Sequence, residues 1–244
     1  MTQRIRFALA GLATALLAAG AGHAQAADAG GASKPRSKAD SDVPTWYADA
    51  LAHSESGLNI TRFWSKGALM RAETVVGGHK IVTIVNGTMY YAFDTTGMNG
   101  VAIHRSPRAI AQDSPTRRPF GREAVNLLGQ GAEKVGEEML LGRPCELLRV
   151  TDRIGRREVW VTLDEPRLPL RIQVYHRKRA RTQNTDYINW LSGIRIADAF
   201  FQPDSQVDFE RYELEEYVTL STTTGPIGSV PVLYADLLHG GRGD

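Results

Sequence analysis

The chain has 244 residues, with 29 basic and 27 acidic side chains and a formal net charge of +2. That balance argues against an electrostatic nucleic-acid binder, whose footprint is a strongly basic domain. The single cysteine, Cys145, cannot form an internal disulfide, so stability must come from a packed core.

At the N-terminus, Arg4 and Arg6 precede an apolar run from Phe7 to Gly20 that is short for a bilayer span, and "AQA" (Ala24 to Ala26) supplies a small-x-small pattern. This pattern predicts a cleavable signal peptide over 1–26, cut between Ala26 and Ala27, and hence a periplasmic protein that is not an integral membrane protein. Cleavage of 26 residues from 244 leaves 218, and the loss of Arg4 and Arg6 leaves 27 bases against 27 acids. Residues 27–43 are small, polar and Gly/Pro-bearing, as expected of a disordered leader.

"PTWYADALAHSE" (Pro44 to Glu55) begins with Pro and carries Trp46, Tyr47, Ala50 and Leu51 on one helical stripe, which predicts a short N-terminal helix. From Gly57 the period becomes that of strands, with turns expected at Lys66-Gly67, Asn86-Gly87 and Asn99-Gly100. With no bulge at the first turn, residue parity places Trp64 with Met70, and Phe63 with Arg71, and the register there decides whether Arg71 points inward or to solvent. Ser106 to Gly131 holds three prolines and a run in which Ala124, Leu127 and Leu128 share a helical face, so short helices are expected there. Strand patterns resume from Ala132, and Cys145 reads as a small buried strand residue. The basic run "YHRKRAR" (Tyr175 to Arg181) reads as a solvated hairpin end, with a surface for anionic lipid head groups as the functional reading. "FERYELEEYVTL" fits a last strand or a helix, and 222–244 form a Gly/Pro-rich tail. These patterns predict an α+β, mainly antiparallel fold in one domain over 44–221.

Catalytic motifs are missing. There is no G-x-S-x-G, no H-E-x-x-H and no phosphate loop, and "GQGAEKVG" lacks the dinucleotide spacing. The histidines stand alone, without a partner at metal-ligand spacing. No cofactor, metal site or catalytic residue is predicted, and binding is favoured over catalysis. Large apolar side chains in the strands serve equally well as a closed core or as the lining of a hollow under helices.

The ordered motifs, from "FWSKGALMR" through "IVTIVNGTMYYAF", "LLGRPCELLRV" and "REVWVTLDEPRLPLRI" to "ADAFFQPD", resemble the LolA-like superfamily of bacterial envelope proteins. That superfamily includes the outer-membrane lipoprotein carrier, its receptor LolB and the N-terminal domain of RseB. The resemblance implies a strongly curved sheet forming an incomplete, half-open barrel, with a short helical lid over an apolar cavity. It also implies a ligand such as a lipid or the acyl chains of a lipoprotein. Trp64, Met70, Ile81, Met89, Tyr91, Val161, Leu170 and Ile172 are the expected lining, and Arg71 is the candidate for the family's internal lid-holding arginine. The alternative is a protein-interaction module like the RseB domain, with envelope or membrane proteins as partners and no lipid cargo.

Overall fold

A computed structural model describes residues 43–54, 57–223 and 230–241. The expected signal segment, nearly all of the expected leader, and parts of the expected tail lie outside the described residues. A first meander runs through β1 (Thr45–Ser54), β2 (Gly57–Lys66), β3 (Leu69–Val76), β4 (His79–Asn86), β5 (Met89–Asp94) and β6 (Asn99–His104). An insertion follows, with helices α1 (Pro107–Ala111) and α2 (Glu123–Gly129). The second meander comprises β7 (Glu133–Leu140), β8 (Arg143–Thr151), β9 (Gly155–Thr162), β10 (Pro169–His176) and β11 (Arg181–Ser192). A 3-10 turn (Asp198–Phe201), β12 (Asp208–Tyr212), α3 (Leu214–Thr223) and α4 (Ala235–His239) complete it.

The strands form one curved, unclosed sheet in the order β12-β6-β5-β4-β3-β2-β1-β11-β10-β9-β8-β7. All neighbours are antiparallel except β12, which returns beside β6 in parallel. The two meanders join through β1 and β11, so β1 sits in the middle of the sheet. This corrects the expected N-terminal helix: 45–54 are a central strand. Ala48 and Ala50 are buried on one face while Asp49 and Leu51 point to the other, so a period of two wins over the helical stripe. Pairing with β2 and β11 also satisfies the backbone on both sides, which an isolated ten-residue helix would do only marginally in water.

Two turns differ from expectation. In the β2–β3 hairpin the turn residues are Gly67 and Ala68, with Lys66 opposite Leu69. An even residue therefore faces an odd one, and parity switches across the turn. Trp64 pairs with Arg71 and Ser65 with Met70, so Met70 shares a face with Phe63, and Trp64 shares the other with Arg71. Asn99-Gly100 lies inside β6 rather than in a turn. Gly100 is needed there for close approach, since a Cβ would come within 2.4 Å of the Ala92 carbonyl oxygen. The chain reverses just before it, where Met98 takes a positive φ of 51°.

Alternation sends the apolar residues to two faces. One, here the inner face, carries Ala48, Ala50, Phe63, Met70, Ala72, Ile81, Val85, Tyr90, Ala92, Val101, Ile103 and Tyr187. It is covered by Phe120 of the insertion and by Val230 and Leu238 near the C-terminus. The outer face carries a smaller cluster of Val82, Ile84, Phe93 and Val207, with Tyr91, Met98 and Phe209 packed against it. Cys145 is buried on β8 with a free thiol.

Candidate functional site

Of the nine expected lining residues, Met70, Ile81 and Ile172 belong to the inner-face cluster. Val161 and Leu170 are buried on β9 and β10, the strands that α2 lies against. The other four are on the outer face. Met89 and Tyr91 follow the alternation of β5 outward, and Tyr91 meets Phe209 edge to face at 5.4 Å. Trp64 packs between Tyr47 and Phe200. Arg71 lies under the Phe200 ring at 4.7 Å and donates to the Phe200 carbonyl at 3.2 Å.

Arg71 therefore fastens an outer strap. Its Nε and Nη2 bond the Glu73 carboxylate at 2.9 and 2.8 Å, and Lys80 Nζ joins from the next strand at 2.7 Å. Burial works against the Glu73 charge, but the hydrogen bonds from Lys80 and Arg71 outweigh it and hold the carboxyl below its ordinary range. Asn86 adds a bond to the Phe201 carbonyl at 3.1 Å. The strap, with Phe201 fully buried, is well satisfied.

The inner face is built differently. Phe120 stacks on Phe63 at 4.9 Å and on Trp190 at 5.7 Å, and Trp190 stacks on Tyr187 at 5.2 Å. Arg118 inserts between Trp46 and Trp190, its guanidinium 5.1 and 4.9 Å from the two ring centres. Such contacts replace part of the hydration that the cation gives up. Arg118 Nη2 donates to the carbonyls of Gly121 and Arg167 at 3.1 and 3.4 Å, while its Nε is buried without a partner. Burial lowers its pKa from the ordinary value. Glu123, at the start of α2, accepts from the Tyr187 hydroxyl at 3.0 Å, yet its Oε2 is enclosed and unpartnered. Burial is the main cause that raises the Glu123 carboxyl above its ordinary range and pushes the Tyr187 hydroxyl up. The chain reaches this geometry through Gly121, whose φ of +64° and proximity to Trp190 leave no room for a side chain: a Cβ would sit 2.6 Å from the indole.

The covers of the inner face meet at Arg105, which follows the end of β6 and is 5% exposed. Its guanidinium bonds the Leu237 carbonyl at 2.7 Å, the Gly87 carbonyl at 2.6 Å and both oxygens of Asp113 at 2.8 Å. One side chain thus ties the β4–β5 turn, the insertion and the C-terminal segment together. Ser106 caps α1 through the Ala109 N–H at 2.9 Å and donates to the His239 carbonyl at 2.8 Å. Tyr90, buried on β5, accepts the Tyr234 N–H at 3.2 Å, and burial raises its own pKa to about 12.

Sequence reasoning missed Arg105, Arg118, Glu123 and the Trp46–Trp190 pair. The signal was available in "SPTRRPFGRE", where arginines flank a Pro-Phe-Gly step, but nothing in the sequence says which arginine turns inward. Among the described residues no group of three or more His, Cys, Asp or Glu side chains could hold a metal ion. No described helix is long and apolar enough to cross a membrane.

No family profile and no curated protein matches the chain. Solved structures do. An uncharacterised conserved protein from Thermus thermophilus is similar at a TM-score of 0.51 and 12% identity, over 70% of this chain and 92% of that one. MucB, in its Pseudomonas aeruginosa complex with MucA, is 18% identical over 69% of this chain, with a TM-score of 0.42; the chain spans 58% of that protein. A domain described as outer membrane lipoprotein-sorting, from Vibrio parahaemolyticus, is 11% identical over 68% of this chain and 92% of its own length, with a TM-score of 0.33. At 12% identity the Thermus likeness is one of fold.

Proposed function

We propose that the chain is a non-catalytic binding protein of the bacterial envelope, located in the periplasm, which holds a hydrophobic ligand against the inner face of its sheet. The ligand class is a lipid or the acyl chain of a lipoprotein, held for transport or sensing. The observation that carries this reading is the construction of the inner cover. An aromatic surface is closed by two chain segments, and their polar anchoring converges on Arg105. Displacing those segments exposes Phe63, Tyr187 and Trp190, with Met70, Ile81 and Ile172 on the same face. Each methylene moved from water onto such a surface is worth about 0.8 kcal/mol.

The unpartnered polar atoms fit the same reading. Ser65 Oγ, Arg118 Nε and Glu123 Oε2 are buried on this face without hydrogen bonds, and each such atom costs about 1–3 kcal/mol. A ligand with a polar end satisfies such atoms as its chain covers the aromatics. Protein isolated in soluble form is expected to release lipid on organic extraction and to take up a fluorescent fatty acid. Native mass spectrometry showing bare protein, together with no uptake, contradicts the proposal.

A second reading, a protein-interaction module without lipid cargo, has its own observation. Strand β7 is a sheet edge on which Glu133 to Met139 are all exposed, and an unpaired edge can accept a partner strand. Capture of an envelope protein that is lost on adding Pro within β7, with no lipid detected, favours this reading.

A further inference from the structure

The ends of the sheet differ. The insertion packs at the end that holds the β2–β3 and β4–β5 turns, where Gly67 approaches Pro115 and Arg105 bonds Gly87. By the strand order, the opposite end carries the β3–β4 turn, the end of β1 and start of β2, and the β10–β11 and β8–β9 turns as successive neighbours along one rim. On that rim, Arg177, Lys178, Arg179 and Ala180 make the β10–β11 turn, with Ala180 in the left-handed region at φ 47°. Arg153 and Ile154 make the β8–β9 turn beside it.

The two turns are locked into one surface. The Arg177 N–H donates to the Ile154 carbonyl at 3.0 Å. Gly155 lies so close to Tyr175 that a Cβ would meet its carbonyl oxygen at 1.8 Å. Asp152 caps the turn through the N–H groups of Ile154 and Gly155 at 2.7 and 3.0 Å, and its carboxylate is taken up by Arg157 at 3.0 Å. Arg156 is likewise engaged by Glu158 at 3.3 Å. Arg153, Arg177, Lys178 and Arg179 are different: all are exposed, and none has a carboxylate partner among the described residues. A cleft between the turns is lined by Arg153, Ile154, His176, Lys178 and Arg179. Amid these cations Ile154 is 64% exposed, and the same rim leaves Leu58, Ile60, Val75 and Val76 exposed.

We infer that this rim is a docking surface for an anionic phospholipid bilayer, with Arg153, Arg177, Lys178 and Arg179 on the head groups and Ile154 entering the interface. Charge complementarity selects this occupant. Uncompensated cations without apolar neighbours would remain a solvated hairpin end, and exposed aliphatics alone would not select a charged partner. Here the two lie together on a rigid pair of turns, away from the segments that cover the inner face. The inference does not depend on a ligand being held there.

The test is co-sedimentation of the soluble chain with vesicles of pure phosphatidylcholine and with vesicles that also contain phosphatidylglycerol. Each surface cation contributes roughly fivefold to partitioning onto an anionic leaflet, so binding at least tenfold stronger to the anionic vesicles is expected. Added salt should weaken it. The triple variant R153E/K178E/R179E should lose at least tenfold on anionic vesicles, and Ile154→Ser should lose a smaller factor while keeping the salt dependence. Because every arm uses the same chain, contributions from other segments cancel. Equal partition of the unaltered chain onto both vesicles overturns the inference whether or not the variants fold. So does unchanged binding of a folded triple variant, or retention on an acidic polypeptide column with no binding to vesicles.

Discussion

The two faces of the sheet are covered by opposite means. On the outer face, Arg71, Glu73 and Lys80 form a satisfied network under Phe200, and the strap is held by matched charges. On the inner face, Arg118 and Glu123 are enclosed with one atom each unpartnered, and aromatic stacking does most of the covering. Matched networks make a fixed cover. A cover that leaves polar atoms unsatisfied is less stable in its closed state and opens at lower cost.

The largest effect should come from the anchor of the inner cover. Arg105→Ala leaves the Asp113 carboxylate and the Leu237 and Gly87 carbonyls without their donor, at a cost of about 3–5 kcal/mol. Urea unfolding measures it, and hydrogen exchange should rise over 107–129 and 230–241 but not in β7–β9. Exchange rising equally everywhere breaks the distinction between cover and sheet. Gly121→Ala comes next, at about 2–4 kcal/mol, because a positive φ and the Trp190 ring both oppose a methyl.

Two acids sharpen the comparison through pH. Glu73 is held below its ordinary value of 4.5, so its contribution is full above 4.5 and is lost as pH falls through the lower folded pKa. Glu73→Gln should cost about 2 kcal/mol at neutral pH and flatten that acid limb. Glu123 has the opposite sign. Its pKa is raised above 4.5, so its contribution is full below 4.5 and is lost as pH rises from there through the folded value. Glu123→Gln should therefore remove a decline in stability above 4.5 and leave neutral-pH stability equal or about 1 kcal/mol higher. Equal slopes in the two variants, read from urea midpoints against pH, would sink the contrast.

Much of the sheet was legible in the sequence because its strands alternate and its turns carry Gly at positive φ, as at Gly67 and Gly87. The insertion was legible from its prolines. Failures came where a local pattern had two readings. Thr45–Ser54 satisfies a helical stripe as well as an alternation, and only pairing on both sides decides between them. The face of Arg71 depended on one turn residue: with Gly67-Ala68 as the turn, Arg71 goes outward and the anchoring of the inner cover falls to Arg105. Arg105, Arg118 and Glu123 were illegible because their roles arise from contacts with Leu237, Trp46, Trp190 and Tyr187, distant in sequence.

The four tryptophans divide between the faces. Trp46 and Trp190 line the inner box, while Trp64 and Trp160 lie on the other side of the sheet. A brominated fatty acid quenches tryptophan only on contact. Titrated into a chain keeping Trp46 and Trp190, with the other two changed to Phe, it should quench saturably. The mirror variant keeping Trp64 and Trp160 should stay bright. Quenching of the outer pair alone, or no saturable quenching of the inner pair, would contradict the assignment of the ligand to the inner face.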